Sequence, residues 1–105
     1  MSSSKIWYID ASPKPGNAFR GFHDAVTNES SLDKKTVELI KIAVSSVLRC
    51  RHCTEDHIVK ARQEGATRQE ITDAMMVASL QCAGTQLYWA NDIFEKRLGD
   101  EKPRR

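Results

Sequence analysis

No stretch of this chain alternates apolar and polar residues over strand length, whereas apolar residues recur at three- and four-residue spacing from Phe19 to Leu98. A period of two is the mark of a half-buried strand and a period near 3.6 that of a helix, so an all-α fold is expected. Asn17 opens the first expected helix, with Phe19, Phe22 and Val26 along one side and turn-forming Asn28–Ser31 at its end. Ser31 or Asp33 caps the second, whose expected buried face is Val37, Ile40, Ala43, Val44, Val47 and Leu48. A third runs from about Thr54 to Glu64 and stops at Gly65. Thr67-Arg68-Gln69-Glu70 is a capping box that starts a fourth. That helix carries Ile71, Ala74, Met75, Ala78 and Cys82, with Gly84 allowing a break or close packing, and its pattern continues to Gly99. It is apolar over more than one face, which in so small a chain predicts burial against the domain core and against a second subunit.

At 105 residues the chain is one domain by length. The expected layout is an N-terminal extension over 1–16, a helical domain over 17–99 and a polar tail over 100–105. Met1–Lys5 reads as disordered or tag-like, and Ile6–Ile9 as a brief extended piece. A net charge of +2 gives no electrostatic footprint for nucleic acid. The basic end made by Lys102, Arg104 and Arg105 reads as a solvated tail. No apolar run reaches membrane-spanning length, and the first fifteen residues lack the apolar region of a secretory signal. A cytoplasmic location is therefore expected. In that compartment a close cysteine pair is redox-active or metal-binding more often than structural.

Chemistry concentrates in Cys50-Arg51-His52-Cys53-Thr54-Glu55-Asp56-His57, which holds two of the three cysteines and two of the three histidines. Cysteines three apart on a helix lie about 60° apart around the axis and one turn apart along it, within reach of a disulfide when the first sits at a helix start. The helix N-terminus also favours thiolate over thiol, and Arg49 and Arg51 add positive charge. His57 follows Cys53 by four residues, which stacks them on one face and lets the imidazole take the thiol proton. His52 lines the site only if residues 50–52 form the turn before the helix. Glu38 precedes Cys50 by twelve residues, about 18 Å along a single rod. It reaches the site only if the chain reverses near Cys50, and it would then meet His57 before either cysteine. The expected relay is Cys53 to His57 to Glu38.

Simpler roles compete with each of these. The thiols with His52 or His57 could form half of a zinc site, completed at a subunit interface. Glu38 could do no more than complement a helix dipole. Cys82 is expected to be a packed small hydrophobe, His23 a surface or interface residue, and the Met75-Met76 pair core or interface. Trp7, Tyr88 and Trp89 are expected to anchor packing between helices or subunits.

Glu38, Cys50-Arg51-His52-Cys53 and His57 together resemble the site of the alkylhydroperoxidase D group within the carboxymuconolactone decarboxylase family. The similarity spans roughly Phe19 to Leu98, with Ser31–Ile40 and Glu64–Ile71 resembling its helix-entry segments. The resemblance implies an AhpD-like helical bundle assembled into trimers or hexamers, with no cofactor. It implies peroxidase or thiol–disulfide chemistry on a hydroperoxide. Cys53 would be the attacking thiolate, deprotonated through His57 and Glu38, and Cys50 would resolve its sulfenic acid. The reductant would be a dithiol, or a lipoyl-bearing protein as partner. The family's namesake decarboxylases lack such a pair, so lactone chemistry is the less favoured alternative.

Overall fold

The computed structural model describes residues 6–102. Expectations for Met1–Lys5, Arg104 and Arg105 lie outside them. Five helices follow in order: α1 Trp7–Ala11, α2 Pro13–Glu29, α3 Lys34–Val47, α4 Arg51–Gln63 and α5 Arg68–Leu98. No strand occurs among the described residues, so the all-α expectation holds. The chain forms two compact units, Met1–Val37 and Glu38–Arg105.

In the first unit the expected extended piece at Ile6–Ile9 is instead helical, and α2 begins at Pro13, ahead of Asn17. Ser12 ends one helix and precedes the next: its N–H donates to the Tyr8 carbonyl at 2.9 Å, and its carbonyl accepts from Gly16 N at 2.8 Å. Pro13 fills the first helical position, where its missing N–H costs nothing. Gly16 is required by contact. A Cβ there would lie 2.7 Å from the Tyr8 carbonyl oxygen and 2.8 Å from Ile9 Cα. With no side chain at residue 16, α1 folds back on α2, and the Tyr8 ring meets Phe19 edge-on at 5.7 Å.

At the start of α3, Asp33 provides the cap through a 2.7 Å bond from Thr36 N to its Oδ1. Hydrogen bonds from the Thr36 backbone and then its side chain hold the Asp33 carboxyl below the usual carboxylate range.

The second unit is built on one turn type used twice. After α3, Cys50 N donates to Ser45 O and Arg49 N to Ser46 O. After α4, Ala66 N donates to Ala61 O and Gly65 N to Arg62 O. Both are Schellman terminations, which need a left-handed residue just past the helix end. Gly65 fills that place at φ 89° and Arg49 at φ 57°. The arginine costs about 1 kcal/mol relative to the preferred glycine. The expected capping box then starts α5, with Thr67 Oγ1 accepting from Glu70 N at 3.0 Å and Glu70 Oε1 from Thr67 N at 2.8 Å.

The core of this unit is small: Ile42, Ala61, Ala66 and Ile71, with Leu39, Ile58 and Met75 packed against it. The α3 face expected to be buried is mostly turned outward. Ile40, Val44, Val47 and Leu48 are exposed, while Ile42 is fully enclosed. The helix has two apolar stripes, and the one through Leu39 and Ile42 meets α4 and α5. Helix α5 is unbroken through Gly84, and nothing lies within 4 Å of a Cβ placed there. Cys82, expected to be packed, is an exposed free thiol. Tyr88 and Trp89 are 85% and 72% exposed, so they anchor no packing within the chain.

Candidate functional site

The turn between α3 and α4 builds the site. Cys50 is the last residue of one termination and the N-cap of the next helix, with extended backbone at φ −88° and ψ 100°. Its sulfur accepts from Cys53 N at 3.3 Å, and its carbonyl accepts from Thr54 Oγ1 at 2.8 Å. Helix α4 thus starts at Arg51 rather than Thr54, which places Cys53 in its first turn. Cys50 and Cys53 are joined as a disulfide, with Cα atoms 5.4 Å apart. The N-cap places the first sulfur over the helix end, and one turn of helix brings the second beside it.

The same reversal lays α4 along α3. His57, one turn beyond Cys53 on the same face, reaches Glu38 across the two helices, Nδ1 to Oε1 at 2.7 Å. Both groups are largely withdrawn from water, with side chains 17% and 8% exposed. A carboxylate only accepts, so Nδ1 carries the hydrogen, and the neutral ring keeps its lone pair on Nε2. Charge-assisted pairing in a site this dry fixes both the ring orientation and the tautomer.

Lys41, not singled out in the sequence, also belongs to this cluster. Its Nζ lies 3.8 Å from Glu38 Oε2 on the same helix. The i,i+3 spacing of opposite charges was the signal for it. Each oxygen of the buried carboxylate therefore faces a different partner.

His52 lies elsewhere. It is exposed in the first turn of α4 and shares a stripe with Asp56 and Lys60 rather than with Cys53 and His57. Lys60 Nζ lies 3.0 Å from Asp56 Oδ2. Its hydrogen bond holds the Asp56 carboxyl below the usual range, with smaller help from the charges of His57 and His52. Among the described residues no three His, Cys, Asp or Glu side chains gather to hold a metal ion, so a zinc site would need donors from another chain.

The profile of the carboxymuconolactone decarboxylase family matches residues 13–96. The chain belongs to this family. Among family relatives, an uncharacterized protein of the cox locus of Paracoccus denitrificans is 40% identical over 71% of this chain and 68% of its own length. The alkyl hydroperoxide reductase AhpD of Rhodococcus erythropolis is 34% identical over 70% of this chain, which spans 41% of that protein. A similar AhpD from Streptomyces griseus is 31% identical over 83% of this chain, which again spans about half of the relative (52%). A crystal structure of a protein from Methanobacterium thermoautotrophicum superposes with a TM-score of 0.75 at 33% identity, covering 83% of this chain and 95% of that one. The fold is therefore that of the family. Within it, this chain brings together the hydrogen-bonded Glu38–His57 pair and the Cys50–Cys53 disulfide.

Proposed function

We propose that the protein is a thiol-dependent hydroperoxidase of the alkylhydroperoxidase D type. The observation that carries this reading is the Glu38–His57 bond, one helical turn beyond Cys53 on α4. In the reduced protein, Nε2 of His57 takes the Cys53 proton, and Glu38 stabilises the imidazolium that results. The Cys53 thiolate attacks the distal oxygen of a hydroperoxide. The O–O bond breaks, Cys53 becomes a sulfenic acid, and the leaving alkoxide takes the proton from His57 and departs as the alcohol. The Cys50 thiol attacks the sulfenic sulfur, forming the disulfide and releasing water. A dithiol then reduces the disulfide by two exchanges, becoming a cyclic disulfide itself. Per cycle, one hydroperoxide and one dithiol yield one alcohol, one water and one oxidised donor.

A lipoyl-bearing protein fits the role of donor, since a paired thiol completes both exchanges without a second molecule. The reading also includes a homo-oligomer, trimer or hexamer, and a cytoplasmic location where dithiols stay reduced. The exposed Leu80, Leu87, Tyr88 and Trp89 on α5, each at least 71% accessible in the single chain, support the oligomer. His52, beside Cys53 but on the neighbouring stripe, is assigned to the rim of the site.

The test is peroxide consumption driven by dihydrolipoamide, with the disulfide mapped by mass spectrometry. Cys50→Ser and Cys53→Ser should each lose turnover while keeping the helical circular dichroism spectrum. Cys53→Ser should also lose the first, stoichiometric reaction with peroxide, whereas Cys50→Ser should stop at the sulfenic acid. Undiminished turnover by Cys53→Ser would reject the mechanism.

A further inference from the structure

We propose that Arg49 and the open groove beside it form a subsite for a monocarboxylate carrying a short apolar chain. The first observation is conformational. The same helix termination occurs twice in this unit, and the left-handed place is held once by Gly65 and once by Arg49. Glycine satisfies that backbone at no steric cost, so an arginine there is kept for its side chain or for nothing.

The second observation is what that side chain meets. Arg49 lines an open surface groove of about 490 Å³ together with Ser46, Val47, Met75, Ser79 and Cys82. That volume falls within the ordinary range of small-molecule sites, roughly 300–1,000 Å³. No ion pair among the described residues ties the guanidinium to a carboxylate of this chain. Ser46 already donates its hydroxyl to the Ala43 carbonyl at 3.0 Å, which leaves the Ser79 hydroxyl as the neutral donor in the lining. Val47 and Met75 supply an apolar wall. One planar cation, one hydroxyl and a hydrocarbon surface suit a monoanion with a tail. The guanidinium fork matches the two oxygens of a carboxylate, and a single positive charge is poorly matched to a dianion such as phosphate.

Arg49 directly precedes Cys50, so the subsite adjoins the thiol pair along the chain. Joined to the peroxidase reading, on which this step rests, it makes acid-bearing hydroperoxides the preferred substrates. The binding claim itself needs no turnover.

The experiment follows backbone amide shifts of the isotope-labelled protein during titration with hexanoate, hexanamide and inorganic phosphate. Expected are saturable shifts with hexanoate at Met75 and Ser79, weakened on the order of tenfold or more in Arg49→Gly. That variant should unfold at the same or higher denaturant, because glycine is the favoured residue in this turn. Arg49→Gln should show the same loss of binding. No saturable shift with hexanoate, unchanged affinity in Arg49→Gly, or equal binding of hexanamide or phosphate would each overturn the subsite. A second arm compares turnover of an acid-bearing and a neutral alkyl hydroperoxide. Wild type should favour the acid through a lower KM, and the ratio of acid to neutral turnover should fall toward one in Arg49→Gly; an unchanged ratio would overturn the subsite. A protein that binds hexanoate but consumes neither peroxide refutes the peroxidase reading and leaves the subsite standing.

Discussion

Replacing Glu38 by glutamine isolates the charge behind the proposed proton transfer. The amide oxygen of glutamine can still accept from His57 Nδ1, so the 2.7 Å contact and the packing around it should survive. What goes is the negative charge facing the imidazolium as the thiol loses its proton. A hydrogen bond to a charged group contributes about 1.5–3 kcal/mol and a neutral one about 0.5–1.5, a difference of about 1–2 kcal/mol. At one decade per 1.36 kcal/mol, the step should slow by about 5- to 30-fold. A ceiling comes from Coulomb's law: two charges about 4 Å apart at an effective dielectric near 20 interact by about 4 kcal/mol, or some three decades. With Glu38 only 8% exposed at its side chain, solvent screening does little to reduce the effect. The assay is stopped-flow oxidation of the reduced protein by cumene hydroperoxide in a single turnover, with wild type and Glu38→Gln compared across the neutral pH range. Rates within twofold of each other at every pH would refute the relay, whatever the fate of the cysteine variants.

Other outcomes follow from the fold. Ile42 is fully enclosed in a core of few side chains, so Ile42→Ala should cost about 2–5 kcal/mol, measurable by urea unfolding. Thr67→Ala removes one half of the capping box and should cost about 1 kcal/mol in the same experiment. Asp33 is held below its ordinary range by Thr36. Its cap should therefore stabilise the protein fully above the unfolded carboxylate pKa, and the contribution should fade as pH falls through the lower folded value. Thermal melts in acid should show a shallower pH slope for Asp33→Asn than for wild type; identical slopes would remove Asp33 from the acid response.

The parts of the fold readable in the sequence are those written in local chemistry. Thr67 and Glu70 announce a helix start by mutual hydrogen bonding, and Gly65 announces an end by its freedom at positive φ. The meeting of Glu38 with His57 was readable because helix rise forbids contact along a straight rod and a reversal near Cys50 allows it. Features set by packing were not readable. Helix α1 is five residues that form only because Gly16 lets them lie on α2, and composition at Ile6–Ile9 does not reveal that contact. Periodicity picks out the α3 stripe through Ile40, Val44 and Val47, whereas the core covers the one through Leu39 and Ile42. The exposure of Cys82 has the same origin, since an apolar neighbourhood in sequence is no guarantee of a neighbour in space. Arg49 was read for its charge alone. Its left-handed backbone lacks the glycine or asparagine that ordinarily flags such a turn.

Because Cys50 closes α3 and opens α4 through its backbone N–H, its carbonyl and its sulfur, the hinge of the fold and one half of the disulfide are the same amino acid. A serine there would keep a good N-cap while losing the ability to bond to sulfur. Under the proposed function, Cys50→Ser should therefore silence electron traffic through the site while the scaffold stays assembled.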